Sequence, residues 1–215
     1  MDGKMTFYLL LFWFGCLILE VFSKGASSFC RCDCETRVTF SKFRESCVML
    51  RSIKYGGHLT ADIDRVFKWD HLRWVYVTRQ PVSLNTAKWQ LRTQPHYNNS
   101  YAIRNLALKE WLLVGDDSSW SAEKRLVLTD RSINRIWKNG YWQFIPDEHG
   151  IKPGVYRVRN TWTGEFLAAD SKWHDTNIIG GRRAVTWKRH TYDFRDDKFW
   201  WTIDNCGEHA DFPDY

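Results

Sequence analysis

The middle of the chain reads Tyr101-Ala102-Ile103-Arg104-Asn105, then Trp111-Leu112-Leu113-Val114, then Trp142-Gln143-Phe144. Similar runs lie 53 residues earlier, at Val48-Met49-Leu50-Arg51-Ser52, His58-Leu59-Thr60-Ala61 and Trp89-Gln90-Leu91. They return downstream as Tyr156-Arg157-Val158-Arg159-Asn160, Phe166-Leu167-Ala168-Ala169 and Trp201-Thr202-Ile203, offset by 55 residues for the first two runs and by 59 for the third. A period of about 50 residues indicates one supersecondary unit used three times.

Each unit is predicted to hold four short strands, because its runs of Val, Leu, Tyr, Trp and Thr are separated by Gly, Pro, Asn and Asp. The sequence places the strands of the first unit at 48–52, 58–61, 74–78 and 88–92. The third strands of the later units are predicted at 125–129 and 183–187, and a turn at Asn139-Gly140 leads into the fourth strand of the second unit. Twelve strands in three repeats, 48–91, 101–145 and 156–203, predict an all-β chain.

These units resemble those of a β-trefoil, a six-stranded barrel capped by three hairpins around a pseudo-threefold axis. The resemblance lies in an opening apolar-x-apolar-Arg-Ser/Asn and a closing Trp-x-apolar. In style these motifs are similar to the C-terminal trefoil domain of the 30-kDa lipoproteins of lepidopteran haemolymph, and more distantly to ricin-type lectin trefoils. The lectins close each copy with Gln-x-Trp, whereas Trp89-Gln90-Leu91 has the tryptophan first. The sugar-contact residues of those lectins are therefore not carried over to this chain.

Residues that recur at matched positions are predicted to be structural. The apolar ones should form threefold layers of the core, and the tryptophans should be buried with them because large aromatic side chains are mostly buried. The arginines at 51, 104 and 159 are expected to bind a carboxylate or a carbonyl, since a charge repeated three times suits a structural partner better than three separate sites. The predicted core layers comprise Leu50, Ile103 and Val158; Leu59, Leu112 and Leu167; Leu91, Phe144 and Ile203; and Trp89, Trp142 and Trp201.

Residues 1–26 are predicted to be a signal peptide, because an apolar run from Phe7 to Phe22 follows Lys4 and precedes small residues. A membrane anchor is the alternative, but the run is shorter than the roughly 20 residues that a span needs. The sequence thus predicts a secreted, extracellular protein with a cysteine-rich tether at 27–46, a trefoil domain at 47–206 and an acidic tail at 207–215. The formal charge of +6 is unchanged by cleavage.

Five cysteines follow the predicted signal peptide, and disulfides are expected in an oxidising compartment. Because the first and last strands of a trefoil are neighbours, the resemblance implies a Cys47–Cys206 bond. Among Cys30, Cys32 and Cys34 the favoured pair is Cys30–Cys34, which leaves one thiol for a disulfide-linked homodimer. Metal binding by this Cys-x-Cys-x-Cys run is the alternative, but no second cluster has zinc spacing. A glycosylation sequon begins at Asn98.

Catalysis is not expected. The seven histidines are dispersed, and neither a Gly-x-Ser-x-Gly elbow nor a phosphate-binding loop is present. The sequence predicts no catalytic residue, no cofactor and no metal, and it predicts neither nucleic acid nor a membrane span as a partner.

Two features depart from the threefold pattern and are therefore the candidate ligand sites. One is a basic run that holds Arg182, Arg183, Lys188, Arg189 and His190. Its four arginine and lysine residues are predicted to share one exposed surface, and a solvated face is the alternative to an anion site there. The other is a set of loop tryptophans at Trp69, Trp120 and Trp173, for which packing under a hairpin is the alternative to stacking on a sugar ring.

These observations predict a binding module that is lectin-like or that binds anionic glycans such as heparin. A protein-binding effector, in the manner of trefoil growth factors, cytokines or protease inhibitors, is the alternative from another functional class. A haemolymph or storage protein is a third reading, and it rests only on the lepidopteran resemblance.

Overall fold

The computed structural model describes residues 47–66, 71–81, 83–94, 99–116, 123–131, 136–147, 154–171, 181–187 and 196–206. All of them lie in one compact unit, Phe43–Tyr215. The predicted signal peptide, tether and acidic tail fall outside the described residues, as do the side chains of Arg65 and Val66.

Twelve strands form the described structure, so the all-β prediction is confirmed. Three short 3-10 helices, Leu84–Ala87, Lys138–Gly140 and Asp197–Phe199, each precede the fourth strand of a repeat. The predicted turn at Asn139-Gly140 is part of one of these 3-10 helices and leads into the fourth strand of the second repeat, as predicted. The strands are β1 Cys47–Ser52, β2 His58–Val66, β3 Leu72–Thr78, β4 Trp89–Thr93, β5 Tyr101–Asn105, β6 Trp111–Val114, β7 Lys124–Asp130, β8 Tyr141–Pro146, β9 Val155–Asn160, β10 Phe166–Ala169, β11 Arg182–Trp187 and β12 Trp200–Asn205.

Six of the strands pair in a closed antiparallel ring. Its order is β1–β4–β5–β8–β9–β12, and β12 returns to β1. The other six strands form three hairpins, β2–β3, β6–β7 and β10–β11, whose second strands also pair with one another. Each repeat thus contributes its first and fourth strands to the ring and its second and third strands to a hairpin.

Three tryptophans fill the core at equivalent positions. Trp89, Trp142 and Trp201 are fully buried, which confirms the prediction that they belong to the core. A buried indole N–H needs a hydrogen-bond acceptor, so the burial of each tryptophan requires one hydrogen bond within its repeat. Each Nε1 donates to the carbonyl of the second-strand leucine of its own repeat: Leu59 at 2.8 Å, Leu112 at 3.1 Å and Leu167 at 3.1 Å.

The predicted apolar layers are also buried, with one exception. Ile203 is half-buried, whereas Leu91 and Phe144 at the matching positions are buried. The layer is therefore less completely closed at β12.

The Ser/Asn that ends each opening motif caps the turn that follows it. The Asn105 side chain accepts from the N–H of Leu108 at 3.0 Å, and the Asn160 side chain accepts from Thr163 at 3.1 Å. The shorter Ser52 hydroxyl accepts from Tyr55 at 3.4 Å. Each turn then passes through a left-handed residue, namely Gly56, Lys109 or Gly164, with φ of 67°, 62° and 71°.

The repeated arginine next to that cap is structural, as predicted. Arg104 Nε donates to the carbonyl of Lys109 at 3.1 Å, and Arg159 Nε donates to that of Gly164 at 3.3 Å. In the first repeat, Arg51 forms an ion pair with Asp204 at 3.3 Å.

A disulfide joins Cys47 at the start of β1 to Cys206 just after β12, with the Cα atoms 5.4 Å apart. The Cys206 N–H also donates to the Cys47 carbonyl at 3.2 Å. The predicted Cys47–Cys206 bond is confirmed, whereas Cys30, Cys32 and Cys34 lie outside the described residues.

Candidate functional site

Two of the three contacts between neighbouring hairpins are built around a buried glutamate. Glu110 accepts from Arg73 Nε at 2.7 Å and from the Thr129 hydroxyl at 2.6 Å. Its equivalent, Glu165, accepts from Arg125 at 3.0 Å and from Thr186 at 2.6 Å. We call these the glutamate junctions. Each satisfies a buried charge with two donors, as a buried carboxylate requires.

The third junction lacks this glutamate, although its arginine, Arg182, is retained. Gly57 stands where Glu110 and Glu165 lie, and a Cβ on Gly57 would be 2.8 Å from the carbonyl carbon of Thr78. The close approach of that backbone therefore leaves no room for a side chain. Arg182 instead donates to the carbonyls of Asp170 and Ser171, and its guanidinium carbon lies 4.1 Å from the centre of the Tyr55 ring.

Two more cations surround Tyr55. Arg79 Nε donates to the Tyr55 carbonyl at 2.8 Å, and Lys54 Nζ lies 5.9 Å from the ring centre. Lys54 also binds Asp196 at 3.0 Å, and this hydrogen bond raises the pKa of the Lys54 ammonium. We call Lys54, Tyr55, Arg79 and Arg182 the Tyr55 cluster. It brings two basic side chains to the Tyr55 ring and a third to the Tyr55 carbonyl, with Asp196 opposite one of them, and an excess of positive charge attracts anions.

The predicted basic surface takes a different form in the part of the chain that the structure describes. Arg182 and Arg183 are both half-buried, so they do not present one exposed patch. Arg183 stacks on Trp74, with its guanidinium carbon 4.2 Å from the ring centre. The physical reason is that consecutive residues of a strand point to opposite faces, so Arg182 and Arg183 reach different aromatic rings. Lys188, Arg189 and His190 lie outside the described residues.

A pocket of about 470 Å³ lies between the first and second repeats, where β3 begins and β6 and β7 end near the 3-10 helix Lys138–Gly140. Its size is typical of a small-molecule site. The wall mixes apolar surface from leucine and tryptophan side chains with carboxylate, imidazole, amide and ammonium groups. The lining residues are His71, Leu72, Leu113, Gly115, Asp116, Asp130, Trp137, Lys138 and Asn139.

Trp137 is the exposed aromatic side of this pocket, with 67% of the residue accessible. Its backbone is fixed at the start of the 3-10 helix, because the Trp137 carbonyl accepts from the N–H of Gly140 at 2.9 Å. Next to it, Asn139 Nδ2 donates to the Val114 carbonyl at 3.0 Å. The Oδ1 atom of Asn139 is buried and has no hydrogen-bond partner within the described ranges.

A second exposed tryptophan lies beside the same 3-10 helix. Trp162, 37% accessible, belongs to the turn between β9 and β10 of the third repeat. The Lys138 ammonium lies 4.9 Å from the centre of its ring. Lys138 thus contacts Trp162 and also lines the pocket next to Trp137.

The sequence prediction missed both tryptophans. The three tryptophans that it named, Trp69, Trp120 and Trp173, lie outside the described residues, and so does the sequon residue Asn98. The missing signal was available in the alignment of the repeats. Trp137 matches Leu84 and Asp196, and Trp162 matches Lys54 and Ala107, so each tryptophan occurs in one repeat only.

Within the described ranges, no group of three His, Cys, Asp or Glu side chains is arranged to hold a metal ion. No helix in the same ranges is long and apolar enough to cross a membrane.

Comparison with known proteins shows similarity in structure. No family model matches the chain, and no curated protein matches it. A salivary protein of the Cysteine and Tryptophan-Rich family from Culex quinquefasciatus is 16% identical with a TM-score of 0.55, over 76% of this chain and 96% of that one. The designed threefold-symmetric protein ThreeFoil is 14% identical with a TM-score of 0.56, over 74% and 98%.

A ricin B-like lectin from Macrolepiota procera, solved in complex with lactose, is 14% identical with a TM-score of 0.53, over 75% of this chain and 96% of the lectin. Identities this low show a shared fold and not a shared function. Together with the closed ring and its three hairpins, the comparisons show that this chain has the fold of the β-trefoil proteins.

Proposed function

We propose that the protein is a secreted, non-catalytic glycan-binding module, and that its binding site is the pocket beside Trp137. The observation that carries this proposal is Trp137, a tryptophan that is 67% accessible at the edge of a pocket with both apolar and polar groups in its wall. A pyranose ring has an apolar C–H face and a rim of hydroxyl groups. Trp137 offers the stacking surface, while Asp116 and Asp130 offer carboxylates that accept from sugar hydroxyls.

The lactose complex of the Macrolepiota procera lectin adds support from a protein of similar fold. Secretion is supported by the predicted signal peptide and by the Cys47–Cys206 bond, because disulfides persist in oxidising compartments. Three further predictions rest on the sequence alone: the resemblance of the motifs to those of lepidopteran lipoproteins, a glycan on Asn98 and a disulfide-linked homodimer.

A glycan array tests the proposal directly. We expect wild-type protein to bind a saccharide, and the Trp137→Ala variant to lose at least tenfold in affinity without a change in melting temperature. Leu84→Ala is the matched control, because Leu84 is an exposed apolar residue at the equivalent position of the first repeat. Equal affinities of wild type and Trp137→Ala would overturn the pocket as the site. Absence of saccharide binding, together with a co-purified protein, would favour the effector function.

A separate observation, the Tyr55 cluster, favours a second site that takes anionic glycans. If it binds sulfate or carboxylate groups, Arg79→Glu will elute from heparin at clearly lower salt than wild type. Arg131→Glu, an equal charge change at another exposed arginine, gives the control. Similar shifts for both variants would indicate net charge only and would contradict an anion site at Tyr55.

A further inference from the structure

We infer that the binding surface extends from the Trp137 pocket to Trp162 in the next repeat, and that it takes an oligosaccharide of more than one sugar ring. The inference rests on the proposed function, since it assigns the length of the ligand that the pocket would bind. It adds Trp162 and Lys138 to the site.

Lys138 makes the two parts continuous. It lines the pocket, and its ammonium lies 4.9 Å from the centre of the Trp162 ring. The side chain is exposed, long and flexible, so it can turn from the indole to a ligand hydroxyl or carboxylate while its charge stays between the two tryptophans. A saccharide that leaves the pocket on this side meets Lys138 first and Trp162 next.

The two tryptophans are held by hydrogen bonds between their loops. Asn160 Nδ2 donates to the carbonyl of Asn139 at 2.9 Å and to that of Tyr141 at 3.2 Å. The N–H of Thr161 donates to the same Tyr141 carbonyl at 2.9 Å. The turn that carries Trp162 is therefore fixed to the 3-10 helix that follows Trp137. A surface fixed before binding loses little conformational entropy when a ligand binds.

The repeat supports a role in binding, because neither tryptophan is needed for the fold. The other two repeats build the same 3-10 helix and the same turn with Leu84 and Asp196 in place of Trp137, and with Lys54 and Ala107 in place of Trp162. Exposed indole is unfavourable in water, so two such residues at neighbouring loops mark a surface that a ligand covers.

The test uses an array of linear gluco-, galacto-, manno- and N-acetylglucosamino-oligosaccharides of one to six units, with sulfated and uronate-containing series of the same lengths, followed by calorimetry on the tightest series. For wild-type protein we expect affinity to rise about tenfold from the shortest bound saccharide to the longest. Trp162→Ala should remove this rise and leave the affinity for the shortest saccharide unchanged. Trp162→Phe should restore most of it, because phenylalanine keeps an aromatic face.

The outcomes separate the two proposals. If Trp162→Ala retains the full increase with length while Trp137→Ala abolishes binding, the extension is overturned and the pocket stands. If Trp137→Ala binds as wild type, the proposed pocket is wrong. If wild-type protein binds no saccharide of the array, both are overturned. Melting temperatures equal to wild type establish that the variants are folded, and Leu84→Ala controls for the loss of exposed apolar surface.

Discussion

Each of the three junctions between hairpins has an arginine at the equivalent position, but the glutamate junctions and the third junction give it different partners. Arg73 and Arg125 bind carboxylates inside the protein, whereas Arg182 lies on Tyr55 among other cations at the surface. What decides the difference is one position, Gly57, where the Thr78 backbone lies too close for a side chain. The repeat therefore determines the position of the arginine, whereas the residues around it determine which interactions it makes.

The largest effect is expected when a glutamate junction loses its acid. Glu110→Ala leaves Arg73 and Thr129 without their shared partner in a buried place, and breaking a buried ion pair in this way costs about 4 kcal/mol. Glu165→Ala should behave similarly. Denaturant unfolding measures the change, with Asp64→Ala, at an exposed carboxylate, as a control that should stay within about 0.5 kcal/mol of wild type. A cost for Glu110→Ala no larger than this control would contradict the structural role of the pair.

The two arginines should differ as well. Arg73→Met leaves Glu110 as an uncompensated buried charge and should cost about 3 kcal/mol. Arg182→Met should cost about 1 kcal/mol, because carbonyl hydrogen bonds and a cation–π contact are lost without stranding such a glutamate. In a double-mutant cycle, Arg73→Met should cost much less in the Glu110→Ala background. Equal costs for the two arginines would remove the distinction between the junctions.

A smaller effect is expected from adding one methyl group to the third junction. Gly57→Ala places a Cβ against the Thr78 backbone, and overpacking of this kind costs about 2 kcal/mol. Gly115→Ala is the matched control, because its Cβ would meet the nearest backbone atom at an ordinary 3.5 Å. Thermal unfolding of the two variants compares them. A stable Gly57→Ala would mean that something other than steric exclusion keeps the glutamate out.

The smallest effect is expected for the ion pair between Lys54, which belongs to the Tyr55 cluster, and Asp196. Partial burial raises the pKa of Asp196, but hydrogen bonds from Lys198 and Lys54 outweigh it and hold the pKa below 3.8. The stabilisation is therefore present above pH 3.8 and is lost as the pH falls through the lowered pKa. The hydrogen bond to Asp196 raises the pKa of Lys54 above 10.5, so the stabilisation that depends on the Lys54 charge is lost only in strong alkali.

Since Lys54 is well exposed, Asp196→Asn should cost less than about 1 kcal/mol near pH 7. The difference from wild type should shrink below pH 3.8 and in salt. Unfolding free energies measured from pH 3 to pH 8 give the test, and a difference that stays constant over this range would contradict the assignment.

The sequence predicted the parts of this molecule that are repeated. Trp89, Trp142 and Trp201 and their leucine partners could be found because burial imposes the same residue type at each copy. The glutamate junctions are harder to predict, since Arg73 and Glu110 meet only when two hairpins from different repeats pair. The sequence around Gly57 does not indicate that the Thr78 backbone excludes a side chain at that position.

The candidate site was predicted less well. The prediction sought charge in a run of neighbouring residues, yet Arg182 and Arg183 each lie on an aromatic ring supplied by a distant strand or turn. Trp137 and Trp162 are 25 residues apart in the chain and meet through Lys138, a contact that the tertiary structure alone creates.

The Cys47–Cys206 bond has a consequence for the topology of the chain. It joins the first and last strands of the ring, so the covalent path from 47 to 206 is itself a closed circle. A circle has no required starting point. A peptide link in place of the disulfide, spanning Cα atoms 5.4 Å apart, would let the chain begin at another repeat, for example between Asp147 and Gly154, and still form the same pairings.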